Sequence, residues 1–241
     1  MESANRPLKQ KTIGILGGAS NVATGYYYEF LNEVANKKLG KWDIAETITI
    51  GMNFGNIEYF IRQNDWDSLK NYLEKKVQAL KNANVDVVIC VSNTLHKLLD
   101  DIMPAYDIPF IHIVDPTAEA IHKVGLSKVI LFGTKPVMNM DYLRNRYQYQ
   151  FGIEIIVPTE DEQNDIDAII FDELVKGIVK EASKQRYVEI AERLAKDEGG
   201  EGLILGCTEI FTLVAQSDFD TIKVFNTTRL HCDAAIDYAL T

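Results

Sequence analysis

The sequence has few of the features that mark secreted, membrane or nucleic-acid-binding proteins. Its three cysteines, among 241 residues, are too few for a disulfide framework and cannot all pair with one another. No apolar run approaches the roughly 20 residues that span a bilayer, and the N-terminal MESANRPLKQKT lacks the apolar segment of a secretory signal. The net charge of −10 gives no general attraction for nucleic acid or an anionic membrane. These absences predict free thiols, a cytoplasmic location and neither a nucleic-acid nor a membrane partner.

Nucleotide and metal motifs are also missing. The stretch LGGASNVATGYYYEF at 16–30 is a Gly-Gly turn that enters a helix, but it has neither the GxGxxG spacing of a dinucleotide site nor the GxxxxGK[ST] of a P-loop. The cysteines and histidines show no metal-ligand spacing. We therefore predict neither a metal nor a cofactor. In the Gly-Gly turn, Ser20 and Thr24 can donate hydrogen bonds to a small anion.

Apolar runs alternate with amphipathic segments along nearly the whole chain. The predicted strands are 12–18, 46–52, 86–91, 109–114, 128–134, 153–158, 202–208 and 222–227. The predicted helices are 22–38, 64–83, 94–102, 115–124, 164–182 and 185–197, with a further one at the C-terminal end. Strands that are apolar throughout and separated by helices indicate an α/β fold with parallel sheets covered on both faces.

Two pairs of strand ends repeat at nearly the same interval. Gly17 and Gly133 each end a strand in a glycine turn and lie 116 positions apart, while Ser92 and Cys207 lie 115 apart. This offset indicates two similar lobes. We predict an N-terminal lobe of residues 1–104 plus 215–241 and a second lobe of residues 105–214. A pseudo-twofold axis would place Ser92 and Cys207 on opposite sides of a cleft between them.

The segment GLILGCTEI places Cys207 at the end of an apolar strand, between Gly206 and Thr208. If a helix begins there, its first N–H groups favour the thiolate over the thiol. A small buried residue of the core is the competing interpretation, and the residue pattern leaves the two equally supported.

At the equivalent turn of the first lobe, VVICVSNTLHK carries Ser92, Asn93 and Thr94. These residues cap helices well, and the same hydroxyl, amide and N–H groups can hold a carboxylate. His96 lies one helical turn beyond Ser92, where it either supports the site or covers a polar face. Cys90, inside the strand, and Cys232, in the terminal helix, are predicted to be structural.

Six segments in order along the chain resemble the cofactor-independent aspartate/glutamate racemase family. They are TIGILGGAS…YYYEFLN, ICVSNTLHK, PFIHIVDPT, VILFGTK, IIFDELVKG and LILGCTEI. The resemblance implies two pseudo-symmetric Rossmann-like lobes, an active site in the cleft between them, a homodimer, no pyridoxal phosphate and an acidic amino acid as substrate.

The resemblance also implies roles for single residues. Ser92 and Cys207 map to the two groups that flank the substrate Cα, and Asn93, Thr94 and Thr208 map to positions that hold its carboxylate and amine. Glu209, beside them, belongs to the same predicted site. Inversion requires a proton to leave one face and another to arrive at the opposite face, in a dry site rich in donors. The candidate cations for the acidic substrate are Arg62, Lys135 and Lys176.

The chain departs from the family pattern at the first catalytic position, where serine replaces cysteine. A serine hydroxyl is a much weaker acid than a thiol, but it can still donate a proton to a carbanion. We therefore predict an asymmetric racemase with Cys207 as base and Ser92 as proton donor; by resemblance, the faster direction begins from the L-enantiomer. The loop GGASNVAT also differs from relatives, which leaves the choice of substrate open.

Two other functions compete with racemisation. One is a single-cysteine isomerase or decarboxylase of a small dicarboxylate, since one thiol suffices when a proton is delivered on one face only. The other is a non-catalytic protein that binds acidic ligands. The Asn93-Thr94-x-His96 pattern argues against the first of these.

Overall fold

Two parallel sheets, one in each half of the chain, form the centre of the protein in the computed structural model, which describes residues 9–241. The strands are β1 (Ile13–Gly17), β2 (Thr47–Gly51), β3 (Val87–Cys90), β4 (Lys128–Phe132), β5 (Glu154–Ile156), β6 (Gly202–Leu205) and β7 (Lys223–Asn226). The helices are α1 (Asn21–Leu39), α2 (Phe54–Arg62), α3 (Trp66–Asn82), α4 (His96–Ile102), α5 (Val114–Lys123), α6 (Lys135–Asn139), α7 (Asp141–Asn145), α8 (Glu160–Asp172), α9 (Glu181–Glu198) and α10 (Thr227–Ala239). Short 3-10 turns and one π-helical turn at 146–150 complete the chain.

The two sheets have matching strand orders. The first is β2-β1-β3, and a parallel bridge from Val88 to Phe110 adds a fourth strand position beside β3. The second is β5-β4-β6-β7. β1 therefore corresponds to β4, β3 to β6, and the segment around Phe110 to β7. The prediction of an α/β fold with two lobes and parallel sheets is confirmed.

Each sheet is buried on both faces because alternate side chains of every central strand enter different cores. In β1, Ile13 and Ile15 pack with α1 and α10, whereas Leu16 packs with α3 and α4. In β4, the same alternation sends Val129 toward α5 and Ile130 toward α8 and α9. Uninterrupted apolar runs in the sequence are the direct result of this two-sided burial.

The lobes exchange their last helices. The Phe110 segment adds to the first sheet, but α5 after it packs into a core of the second lobe. Conversely, β7 pairs with β6 in the second sheet, and α10 after it packs on α1 of the first lobe. The predicted boundaries, 1–104 plus 215–241 against 105–214, differ from this pairing at the Phe110 segment and at β7. As a description of folding units they stay a prediction.

Several element boundaries differ from those predicted. The strand predicted at 109–114 is reduced to the bridge at Phe110, since α5 begins at Val114. The helix predicted at 164–182 ends at Asp172 and gives way to a 3-10 turn closed by Gly177 in the left-handed region. The sequence prediction missed α2, α6 and α7. Within residues 9–241, no helix is both long and apolar enough to cross a membrane.

Candidate active site

A cavity opens where the central strands of both lobes end at their carboxyl edges, the usual location of ligand sites in parallel α/β folds. Ser92 follows the end of β3 by two residues, and Cys207 follows the end of β6 by two. Eight of the predicted site residues line this cavity: Ser92, Asn93, Thr94, Cys207, Thr208, Glu209, Lys135 and Arg62. Residues from both lobes thus meet in one place.

The turn after β3 presents Ser92 at the cavity. Its hydroxyl oxygen accepts a hydrogen bond from the Leu95 N–H at 3.3 Å, which shapes the turn before α4. The Ser92 carbonyl accepts a hydrogen bond of 2.6 Å from His96 Nδ1. The hydroxyl proton of Ser92 is left for a ligand, so this side chain can donate a hydrogen bond into the cavity.

The turn after β6 surrounds Cys207 differently from the prediction. The segment that follows is a 3-10 turn of three residues, Ile210–Thr212, rather than an α-helix. Cys207 Sγ donates to Glu209 Oε2 at 3.2 Å, and the Thr208 hydroxyl donates to the same oxygen at 2.9 Å. Burial, and then the negative charge of Glu209, raise the pKa of the Cys207 thiol well above its ordinary value, although the N–H groups of Glu209 and Thr208 oppose this. The expected stabilisation of the thiolate by a helix is therefore wrong, because no α-helix begins here and the two N–H groups do not outweigh burial and the charge of Glu209.

Two buried polar atoms in the cavity have no hydrogen-bond partner among the described residues. Asn93 Nδ2 is a donor from the first lobe, and Glu209 Oε1 is an acceptor from the second. Glu209 is only 2% exposed and forms no ion pair within residues 9–241. Leaving such groups unpaired is unfavourable by about 1–3 kcal/mol each. Both atoms belong to residues that line the cavity, and no described residue uses their hydrogen-bonding capacity.

Comparison with known proteins identifies the family. The family model described as Asp/Glu/hydantoin racemase matches residues 14–235. A Yersinia pestis protein assigned as an Asp/Glu racemase is 36% identical, with a TM-score of 0.88 over 96% of this chain and 100% of that one. An aspartate racemase homologue from Pyrococcus horikoshii is 34% identical, with a TM-score of 0.84 and the same coverage. The chain belongs to the Asp/Glu/hydantoin racemase family.

Membership of the racemase family implies isomerase activity. More distant members share the fold: the Picrophilus torridus aspartate racemase is 19% identical, with a TM-score of 0.73 over 95% of this chain and 94% of that one. The two parallel sheets, one in each lobe, accordingly match the two-lobed racemase fold.

The three side chains predicted to supply a cation differ in their position relative to the cavity. Lys135 is one of the lining residues and forms no ion pair with another described residue, while its backbone N–H donates to Asp167 at 2.7 Å. Arg62 lies at the rim, 70% exposed, and pairs with Glu58 at 3.2 Å. Lys176 lies outside the cavity and pairs with Asp172. Lys135 is thus the best placed of the three.

Three other predicted residues do not line the cavity. Ser20 is the N-cap of α1 and accepts a hydrogen bond from the Ala23 N–H at 3.2 Å. The Thr24 hydroxyl accepts from the Gly18 N–H and donates to the Ser20 carbonyl. Both side chains therefore bind their own turn instead of an anion. His96 is fully buried behind Ser92.

Sequence reasoning missed the apolar wall of the cavity and two of its acids. Phe54 on α2 and Phe171 on α8 stack across the two lobes, with ring centroids 6.5 Å apart and planes within 8°. Glu58 and Asp167 complete the acidic side chains of the lining. The spacing of Phe54, Ile57 and Ile61 was a readable helical signal for α2. Nothing in the sequence indicated that aromatic residues of α2 and α8 would stack on each other.

Proposed function

We propose that this protein is a cofactor-independent amino-acid racemase that acts on aspartate or glutamate by proton transfer on the two faces of Cα. The observation that carries the proposal is the pair of unpartnered atoms beside Ser92 and Cys207. Asn93 Nδ2 suits the α-carboxylate of a ligand, and Glu209 Oε1 suits an α-ammonium group. A donor on one lobe and an anion on the other match the zwitterion of an α-amino acid.

The same pair disfavours the dicarboxylate alternative. A dicarboxylate without an amine would bring a negative charge toward Glu209, which is already a buried carboxylate without a cation. An α-amino acid supplies the missing cation. A reaction on an amino acid therefore fits this cavity better than a reaction on a dicarboxylate without an amine.

Substrate binding also provides a way to activate Cys207. After burial, the negative charge of Glu209 raises the pKa of the Cys207 thiol and so helps to hold it protonated. An ammonium group placed at Glu209 Oε1 offsets that charge and lowers the pKa of the thiol again. The thiolate then removes the α-proton, and the Ser92 hydroxyl donates a proton to the opposite face of the carbanion. The cycle closes when the Ser92 alkoxide takes a proton from water and the Cys207 thiol releases one to water, so that no proton is gained or lost overall.

An acidic side chain on the substrate requires a cation in the cavity. Lys135 is the best candidate because it is a lining residue whose ammonium forms no ion pair with another described residue. Arg62 is largely neutralised by Glu58. A screen of acidic, amide and basic amino acids with the wild-type protein and with Lys135→Met tests this assignment, since the substitution should raise KM for acidic substrates only.

The reaction itself is tested by incubating the protein with L-aspartate or L-glutamate in D2O, following loss of the α-proton by NMR and chirality by enantiomer analysis. Exchange together with inversion supports racemisation. Exchange with full retention would indicate a one-base reaction and contradict the proposal. Binding by calorimetry with neither exchange nor inversion would make the protein a binding protein.

A matched pair of cysteine variants serves as the control. Cys207→Ala should abolish both exchange and inversion, whereas Cys232→Ala, in the core formed by α1 and α10, should retain both. Full activity of Cys207→Ala would contradict the mechanism. The homodimer and the cytoplasmic location expected from the sequence stay predictions.

A further inference from the structure

Three histidines pack against one another directly behind the Ser92 turn. His96 begins α4, His112 precedes α5 and His231 lies on α10, and all three are buried. The ring centroid of His96 is 4.5 Å from that of His112 and 5.8 Å from that of His231. None of the three lines the cavity. Any role of these histidines at the site must therefore act through the residues with which they form hydrogen bonds.

The hydrogen bonds of His96 fix its protonation state. Nδ1 lies 2.6 Å from the Ser92 carbonyl, which can only accept, so Nδ1 carries the proton. Nε2 lies 3.2 Å from the Ile113 N–H, which can only donate, so Nε2 is unprotonated. The ring is neutral, in a single tautomer, with both nitrogens in use. Burial, which lowers the pKa of His96 well below its ordinary value, keeps it in this state.

The two hydrogen-bond partners of His96 belong to different parts of the molecule. The relative position of these parts must stay fixed if protons are to be transferred on both faces of the substrate Cα. Ser92 lies on the turn of the first lobe. Ile113 is the residue before α5, which packs Val114, Ala118 and Ile121 into a core of the second lobe. His231 holds the same connecting segment from α10, through a hydrogen bond of 2.9 Å from Nε2 to the Ile111 carbonyl. His96 thus joins the Ser92 turn to the crossover between lobes.

We propose that His96 is a positioning residue whose Nδ1 hydrogen bond to the Ser92 carbonyl holds the Ser92 turn and so sets the proton transfer at the Ser92 face, without touching the substrate. This inference rests on the proposed racemase function. A displaced Ser92 turn would leave Cys207 on its own lobe undisturbed, because Cys207 is held by the turn after β6. Loss of His96 should therefore separate the two half-reactions: exchange at the Cys207 face continues, and delivery from the Ser92 face fails.

Two amide variants of similar polarity test the proposal. In His96→Asn, the amide nitrogen can occupy the position of Nδ1 and still donate to the Ser92 carbonyl. In His96→Gln, the amide reaches the position of Nε2 and loses that bond. The measured quantity is the ratio of inversion to α-deuterium incorporation, starting from the enantiomer that Cys207 deprotonates. We expect a fall of at least about 10-fold in His96→Gln, with KM little changed, and a ratio within a few-fold of the wild type in His96→Asn.

His231, a buried histidine that forms no hydrogen bond with Ser92, provides the control. His231→Gln should lower the thermal stability to a similar degree and leave the ratio unchanged. An unchanged ratio in His96→Gln, or an equal fall in His96→Asn and His96→Gln, would overturn the positioning role. Absence of exchange and inversion in the wild-type protein would instead refute the proposed function, and the inference with it, which distinguishes the two failures.

Discussion

Ser92 is the residue whose chemistry differs most from its counterpart across the cavity. Both Ser92 and Cys207 stand two residues beyond a central strand and line the same cavity. A thiolate forms far more readily than an alkoxide. The two residues therefore occupy equivalent positions in their lobes but differ in acidity. The predicted asymmetry between the two directions of the reaction follows from this inequality.

Substitution of Ser92 should separate inversion from exchange. We expect Ser92→Ala to lower the rate of inversion by roughly 100-fold or more, because the proton donor of one face is lost. Exchange from the Cys207 face should persist. Ser92→Cys should retain inversion and make the forward and reverse turnover numbers more nearly equal. The D2O assay from each enantiomer measures both effects, and unchanged inversion in Ser92→Ala would exclude Ser92 as the donor.

Glu209 contributes to the raised pKa of the Cys207 thiol, after burial. Because burial and then the charge of Glu209 raise the pKa of this thiol, Glu209→Gln should lower it and increase the thiolate fraction at a given pH. The pH profile of iodoacetamide alkylation should shift toward lower pH. Turnover should fall, because the ammonium group of the substrate loses the negative charge that is proposed to bind it.

Glu58→Gln is the matched control, since Glu58 also lines the cavity but pairs with Arg62. Its alkylation profile should match that of the wild type. If Glu209→Gln leaves the profile unshifted, the carboxylate does not hold the thiol protonated.

At the scale of elements, the turn between β1 and α1 is fixed by the absence of a side chain at Gly18. Gly18 has a φ of 84°, and a Cβ there would lie 2.2 Å from the Met52 carbonyl oxygen. The close approach results from the pairing of β1 with β2, whose ends lie side by side at Gly17 and Gly51. Gly25, within α1, has no atom within 4 Å of an added Cβ.

Alanine at these two glycines should have opposite effects on the free energy of unfolding. Gly18→Ala combines backbone strain with a steric clash and should reduce it by roughly 3 kcal/mol. Gly25→Ala should increase it by roughly 0.5–1 kcal/mol, because alanine is favoured over glycine inside a helix. Urea denaturation of both variants checks the prediction, and equal effects would contradict this account of the turn.

At the scale of the whole molecule, the neutral histidines behind the site make stability depend on pH. Burial lowers the pKa of His231 from 6.5 to about 4 and also lowers the pKa of His96 and His112. Between the ordinary pKa of histidine and its lowered value in the folded protein, the unfolded chain binds protons that the folded protein does not. The free energy of unfolding therefore falls as pH falls below about 6.5. For His231 the loss reaches about 3 kcal/mol near pH 4 and does not grow further below it.

His231→Gln tests this contribution, because it removes one titrating imidazole and retains a donor for the Ile111 carbonyl. We expect the variant to be less stable near pH 7 and to lose less stability than the wild type between pH 6.5 and 4. Chemical denaturation across this range gives the difference. Parallel curves for the two proteins would show that His231 is not held neutral.

Local patterns were enough to predict the α/β fold and two residues, Ser92 and Cys207, that line the same cavity. The apolar strands, the glycine turns and the interval of 115 positions between Ser92 and Cys207 are all written in the sequence. These features follow from short-range rules of strand burial and turn geometry. They also placed Cys90 and Cys232 in the core, where both are fully buried.

Other properties depend on contacts between residues far apart in the chain, and only the tertiary structure decided them. The exchange of α5 and α10 between lobes brings His96, His112 and His231 together, although the sequence shows them scattered. The sequence predicts Ser20 and Thr24 as anion-binding residues, but their side chains form hydrogen bonds within their own turn and do not line the cavity. The unpaired atoms of Asn93 and Glu209 became visible only once every neighbour was placed. A sequence specifies which polar groups exist, whereas the packed fold determines which of them are left without a partner.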